Sequence, residues 1–196
     1  MGVLRTSRRY GFGMRGLVLA GGKSSRFGSD KALMVYEGTT FLERAVSLLG
    51  SMDLKPIVVT RRGMVYPWLP CATLYDQLPE KGPLGGLYTA MSRFKKTSFV
   101  VLTCDMPALT PGVLQGLLDR HEPSRLLTFY STPDGFDQPF PGIYEDSLFG
   151  VIKEKIKMDD LSLHGLLDGT PTRKRILWKG SSAFFRNINY REDLVV

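Results

Sequence analysis

The sequence predicts an α/β protein built on a mostly parallel sheet with helices on both faces. Three observations carry this expectation. Continuous apolar runs rich in β-branched residues recur along the chain, helical patterns lie between them, and no repeat, low-complexity tract or linker divides the whole.

The elements follow in order. Gly16-Leu17-Val18-Leu19-Ala20 reads as the first buried strand, over residues 15–20. Residues 40–51 carry Phe41, Ala45, Leu48 and Leu49 on one helical stripe. Lys55-Pro-Ile-Val-Val-Thr60 is a second strand, and 83–94 a helix behind a proline–glycine start. Residues 98–104 form the most apolar strand of the chain. Thr110-Pro111 then reads as an N-cap with proline at the first helical position, opening a helix over 111–121. Strands are expected at 125–130 and 172–178. Between them a helix over 145–157 carries the stripe Leu148, Val151, Ile152 and Ile156.

Length and composition bound the answer. The 196 residues suit one domain over 14–196, with residues 1–13 read as a disordered leader and Met14 as a possible start. The leader has arginines but no apolar segment, so it is not a secretory signal, and no run approaches the roughly 20 apolar residues of a spanning helix. A cytoplasmic protein is expected, with no membrane and no nucleic-acid partner. The net charge is +7; removing the three leader arginines and no acidic residue leaves +4. That mild excess fits a protein handling phosphorylated small molecules, and no nucleic-acid motif accompanies it. Cys71 and Cys104 make neither a disulfide framework nor, with His121 and His164, a zinc pattern. With two histidines and no nucleophile elbow, covalent hydrolase chemistry is not expected.

Three places carry chemistry. After the first strand come Gly21 and Gly22, then Lys23, Ser24, Ser25, Arg26 and Lys31. Paired glycines let a backbone turn tightly and bring its N–H groups to an anion, which the cations then neutralise. The spacing is neither a Walker loop nor a dinucleotide fingerprint, and a tight turn without ligand is the plain alternative. Asp105 ends the apolar strand before Met106-Pro107. It is either a turn residue or, at a strand's carboxyl end where such sheets bind ligands, a ligand for magnesium shared with substrate phosphates. Asp76 precedes Gly82-Pro83-Leu84-Gly85-Gly86, where glycines open a helix start to a flat ligand, or simply make the loop into the helix.

Leu-Ala-Gly-Gly-Lys-Ser-Ser-Arg-Phe-Gly-Ser-Asp-Lys, ending at Lys31, resembles the signature Leu-Ala-Gly-Gly-x-Ser-x-Arg-Met-Gly-x-Asp-Lys of molybdenum cofactor guanylyltransferases. The likeness continues through Asp76, Gly82–Gly86, Thr103–Pro107, Asp134-Gly-Phe-Asp-Gln-Pro139, Ser162-Leu163 and Asn187-Ile-Asn189, and so spans about 14–196. It implies a Rossmann-like three-layer α/β/α fold of the glycosyltransferase-A, or nucleotide-diphospho-sugar transferase, type. It also implies magnesium-dependent transfer of GMP from GTP to the terminal phosphate of molybdopterin. The resemblance assigns roles as well. Leu19, Ala20, Gly21 and Gly22 would hold the nucleotide, with Asp76 in its site; Arg26 and Lys31 would clamp phosphates; Asp105 would bind magnesium. Gln138, Asn187 and Asn189 would face the acceptor or the metal. Molybdenum-insertion or molybdoenzyme-maturation proteins are the implied transient partners. Phe27 replaces the family methionine and Tyr190-Arg191 its Thr-Pro. Gly21, against alanine in cytidylyl relatives, points to guanine. A cytidylyl- or sugar-phosphate nucleotidylyltransferase and a non-catalytic nucleotide-binding regulator are the alternatives.

Overall fold

The structure is a computed structural model describing residues 13–21 and 30–188. Its centre is a seven-stranded sheet. In chain order the strands are β1 (Met14–Leu19), β4 (Pro56–Thr60), β5 (Ala72–Tyr75), β6 (Ser98–Thr103), β7 (Leu127–Ser131), β8 (Asp137–Tyr144) and β9 (Arg173–Leu177). Their spatial order is β5-β4-β1-β6-β8-β7-β9. The pairs β5–β4, β4–β1, β1–β6 and β7–β9 are parallel, whereas β8 runs antiparallel to both neighbours. A two-residue turn at Glu37-Gly38, both with positive φ, joins the short antiparallel pair β2 (Val35–Tyr36) and β3 (Thr39–Thr40).

Helices cover both faces, as expected. Residues alternate across a strand, so Gly16 and Leu19 of β1 point to opposite faces. A methyl on Gly16 would meet the Leu49 side chain at 2.8 Å, which puts α1 (Phe41–Ser51) on that face; glycine lets the helix lie close. On the other face a methyl on Gly86 would meet Leu19 at 2.7 Å, which puts α2 (Gly82–Arg93) there. Helix α3 (Pro111–Leu118) packs on β7 and β8, α4 (Phe149–Lys157) on α2, and α5 (Leu163–Gly169) on β8 and α4. Of the expected stripes, Phe41, Ala45, Leu49, Leu148 and Ile152 are buried, while Leu48, Val151 and Ile156 are half-buried. Thr40 closes a capping box on α1 with Glu43.

Several expectations need correction. β5 is absent from the sequence reading because its four residues lack an apolar run. β8 has no counterpart among the expected strands, since Pro139, Pro141 and Gly142 break the strand signal; its presence makes the sheet mixed. Helix α5 has only seven residues, too few for periodicity to show. The helix expected at 145–157 opens instead as a 3₁₀ turn, Asp146–Leu148, and the one at 111–121 ends at Leu118. Thr110 has N-cap backbone angles, but its side chain makes no capping hydrogen bond. The expected leader falls on residues outside those described, apart from Gly13.

Candidate active site

Strands β1 and β6 run in register from Met14↔Ser98 to Leu19↔Thr103, so their carboxyl ends lie side by side at the middle of the sheet. The junction is pinned beyond the strands. Cys104 N donates to Leu19 O at 3.4 Å, and Ala20 N donates to Val59 O at 2.8 Å. The Leu19 carbonyl and the Ala20 amide, both in residues expected to hold the nucleotide, are thus engaged within the sheet. The Leu19 side chain lies under α2.

Lys31 is placed by its neighbours. Asp30 caps the 3₁₀ turn Lys31–Leu33 by accepting from Ala32 N, at 3.1 Å. Its other oxygen accepts from the hydroxyl of buried Tyr66 at 2.7 Å, tying the turn to the loop after β4. From that turn Lys31 Nζ reaches Asp105 Oδ2, at 2.9 Å across 74 residues of sequence. Both side chains are largely buried, at 15% and 21% exposure. Such a pair is screened far less than a surface ion pair.

Asp105 is held from behind as well. Its carbonyl accepts from Ile188 N at 2.9 Å, and Ile188 is buried. The tail thereby brings Asn187, which is exposed, beside the same loop. Because β8 runs antiparallel to β6, its first residues Asp137 and Gln138 stand at this end of the sheet too. The structure thus gathers Lys31, Asp105, Gln138 and Asn187 at one end, next to Gly21. Gly22, Arg26 and Asn189, with Phe27 and Tyr190-Arg191, lie outside the described residues.

The carboxylate of Asp105 is unevenly used. Oδ2 holds Lys31, while Oδ1 is buried and has no hydrogen-bond partner among the described residues. A buried oxygen of this kind calls for a partner. Among the described residues no three His, Cys, Asp or Glu side chains cluster to hold a metal ion. The donor set is one carboxylate oxygen, which suits a hard cation that takes its remaining ligands from phosphates and water. The neighbouring thiol plays no ionic part: burial pushes Cys104 from 9.0 up to about 12.

The second glycine motif turns out to serve packing. A methyl on Gly85 would sit 2.2 Å from Leu78 O, and one on Gly86 2.7 Å from Leu19. Both glycines are buried: Gly86 lets α2 lie close on β1, and Gly85 lets the helix start sit against the turn that precedes it. Asp76 shapes the same turn. Its Oδ1 accepts from Leu78 N at 2.8 Å and from the Thr89 hydroxyl at 3.2 Å. Gly21 differs from both. Its φ lies outside the left-handed region and a methyl there would meet nothing closer than Arg61 N at 3.6 Å. The described backbone does not itself require glycine at 21, which corrects the tight-turn argument for that residue.

Residues 16–170 match the MobA-like NTP transferase domain. The chain belongs to this family. It is 30% identical over 179 residues, 90% of this chain and 92% of the other, to a probable molybdenum cofactor guanylyltransferase of Flavobacterium johnsoniae. With the corresponding probable enzyme of Chloroflexus aggregans it shares 32% identity over 192 residues, covering 92% and 91% of the two chains. Among solved structures, molybdopterin-guanine dinucleotide biosynthesis protein A of Archaeoglobus fulgidus superposes with a TM-score of 0.77 at 20% identity, over 92% and 95% of the chains. The fold is thus the nucleotide-diphospho-sugar transferase type, and the family's activity is nucleotidyl transfer.

Sequence reasoning missed two residues that build this family site. Asp30 was read only as part of the signature, although an aspartate one residue before a short turn is itself a capping signal. Tyr66 gave no local signal, because its role comes from a contact across 36 residues.

Proposed function

We propose that this protein transfers GMP from GTP to the terminal phosphate of molybdopterin, forming molybdopterin guanine dinucleotide and pyrophosphate, with Mg²⁺ held on Asp105. The observation that carries the reading is the buried Lys31–Asp105 pair at the joined carboxyl ends of β1 and β6, with Asp105 Oδ1 left unpartnered. A cation and a carboxylate fixed before any ligand arrives suit a reaction whose main demand is to place two anions together and neutralise growing charge. The guanylyltransferase names of the relatives, each covering nine-tenths of this chain, support the choice of nucleotide and acceptor.

In the proposed reaction an acceptor phosphate oxygen attacks the α-phosphorus of GTP. A new P–O bond forms there as the bond to the bridging α–β oxygen breaks, and pyrophosphate leaves with that electron pair. The acceptor is already an anion, so no side chain must take a proton from it. Lys31 and Arg26 offset the charge on the phosphates. Asp105 Oδ1 would hold Mg²⁺, whose chemistry is to draw charge from the phosphate oxygens. Leu19, Ala20, Gly21, Gly22 and Asp76 form the nucleotide half of the site. Gln138, Asn187 and Asn189 form the acceptor half.

Pyrophosphate release from GTP in the presence of molybdopterin tests the reading. The unaltered protein is expected to release it, and Asp105→Asn to stay folded, with a lower melting temperature because Lys31 loses its charged partner, while losing about 10²-fold or more in kcat. Full turnover by the Asn variant at limiting magnesium would remove Asp105 from the mechanism.

A further inference from the structure

Three parallel strands end next to one another on the β5 side of the lysine–aspartate pair. Leu19 pairs with Val59 and Thr60 with Tyr75. Continuing both registers two and one residues past the strand ends sets Gly21 beside Arg61 and Arg61 beside Asp76. The coordinates agree at the first step: a methyl on Gly21 would lie 3.6 Å from Arg61 N and 3.7 Å from the Thr60 carbonyl carbon. They agree at the second, where Asp76 N donates to Thr60 O at 2.7 Å. The row Gly21–Arg61–Asp76 belongs to the face of Leu19 and Val59, on which α2 rests through Gly86. Gly85, at the start of that helix, closes the row, since a methyl there would come within 3.2 Å of Asp76 Oδ1.

Within this row Arg61 is the unexplained member. It is exposed, and its guanidinium makes no hydrogen bond or ion pair with any described residue, Asp76 included. The loop that carries it is not loose. Met64 N donates to Arg61 O at 3.3 Å, and Tyr66 ties the loop both to Asp30, beside Lys31, and to Thr60. A guanidinium without a partner, on an anchored backbone next to a carboxylate, presents a fork of donors beside an acceptor. Guanine has the complementary pattern. Its O6 and N7 accept side by side, matching a guanidinium fork, while its N1–H and exocyclic amine donate toward a carboxylate. Cytosine and adenine put an amino donor where guanine has O6, and a guanidinium meets that group unfavourably.

Resting on the guanylyltransferase reading, we propose that Arg61 is the residue that selects guanine, by donating to O6 and N7 of the bound nucleotide, with Asp76 accepting from its opposite edge. This moves base choice from the backbone at Gly21 to a side chain just past the end of β4.

The test is calorimetric binding of GTP and of 7-deaza-GTP, in which N7 is replaced by C–H, to the unaltered protein, Arg61→Ala and Arg61→Lys. The unaltered protein is expected to prefer GTP by about tenfold or more, the order of one bidentate contact. Arg61→Ala, which loses the O6 contact as well, is expected to bind GTP no more tightly than the unaltered protein binds 7-deaza-GTP, and to lose the preference. Arg61→Lys keeps the charge but not the fork, so it should lose the preference too. All three proteins should melt at the same temperature. Equal affinity of the unaltered protein for both nucleotides, an equal loss on both in Arg61→Ala, or full rescue by lysine would overturn the proposal; the last two would give Arg61 to the phosphates. If the unaltered protein binds no GTP, the guanylyltransferase reading itself falls, a result distinct from GTP binding without discrimination.

Discussion

At Asp105 one carboxylate oxygen is committed to an ammonium and the other is buried with no hydrogen-bond partner among the described residues, and the proposed magnesium site rests on this asymmetry. Gly21 makes the complementary case by what it lacks. Nothing described in the fold fills the space where its side chain would go, and its backbone is one that alanine adopts. Gly21→Ala is therefore expected to leave the melting temperature within a degree or so. GTP affinity should fall by about tenfold, the scale of one methyl placed against a ligand. Titration of GTP alongside a melting curve checks both halves. A large drop in melting temperature would show that the glycine serves the fold after all.

Helix α2 shows the opposite use of glycine. Gly85→Ala would drive a methyl into the Leu78 carbonyl, a backbone atom in a turn held by Asp76, and should cost about 1–3 kcal/mol. For a chain of this length each kcal/mol lowers the melting temperature by about 2–4 °C. Gly86→Ala meets only the tip of Leu19, which can rotate, and should cost less. If calorimetry ranks them the other way, the packing account of this helix start is wrong.

The difference between these glycines was invisible in the sequence, where all sit in glycine-rich loops. What the sequence did show were elements with strong periodicity and long apolar runs: β1, β4, β6, α1 and the latter part of α4. It also placed the glycine-rich loop and Asp105 at strand carboxyl ends; that Lys31 pairs directly with Asp105 came only from the structure. The elements it hid are those whose signal is not local. β8 is a strand through its partners despite two prolines, and Tyr66 acts through Asp30. Arg61 gains meaning only from register with neighbouring strands.

For the whole molecule, burial acts on several acids at once. It pushes the Cys104 thiol from 9.0 to about 12 and the Tyr130 phenol from 10.0 to about 12, and it raises Tyr66 and Tyr144 as well. In the unfolded chain these groups release protons from about pH 9 upward, while the folded chain keeps them. The folded state therefore binds more protons in that range. Their contribution is complete below about pH 9 and is lost as the pH climbs toward 12. Urea midpoints are expected to change little between about pH 7 and 8.5 and to fall clearly by about pH 10.5. A midpoint unchanged at the alkaline end would mean that these side chains reach solvent while folded.

The place of β1 in the sheet has a kinetic consequence. The first strand of the chain lies at its middle, with Gly16 paired to Pro56 on one side and to Val100 on the other. Loops of that size must close before either pairing gives any return, so the topology makes for slow folding, with a transition state that already joins distant segments. Lys31 and Asp105 meet only when that closure is complete. Nucleotide binding should thus appear during refolding with the same time constant as the fluorescence of Trp178, which packs on buried Tyr130 and Phe185, and GTP should accelerate neither phase. A rapid binding phase ahead of the tryptophan change would show that half of the site forms on its own.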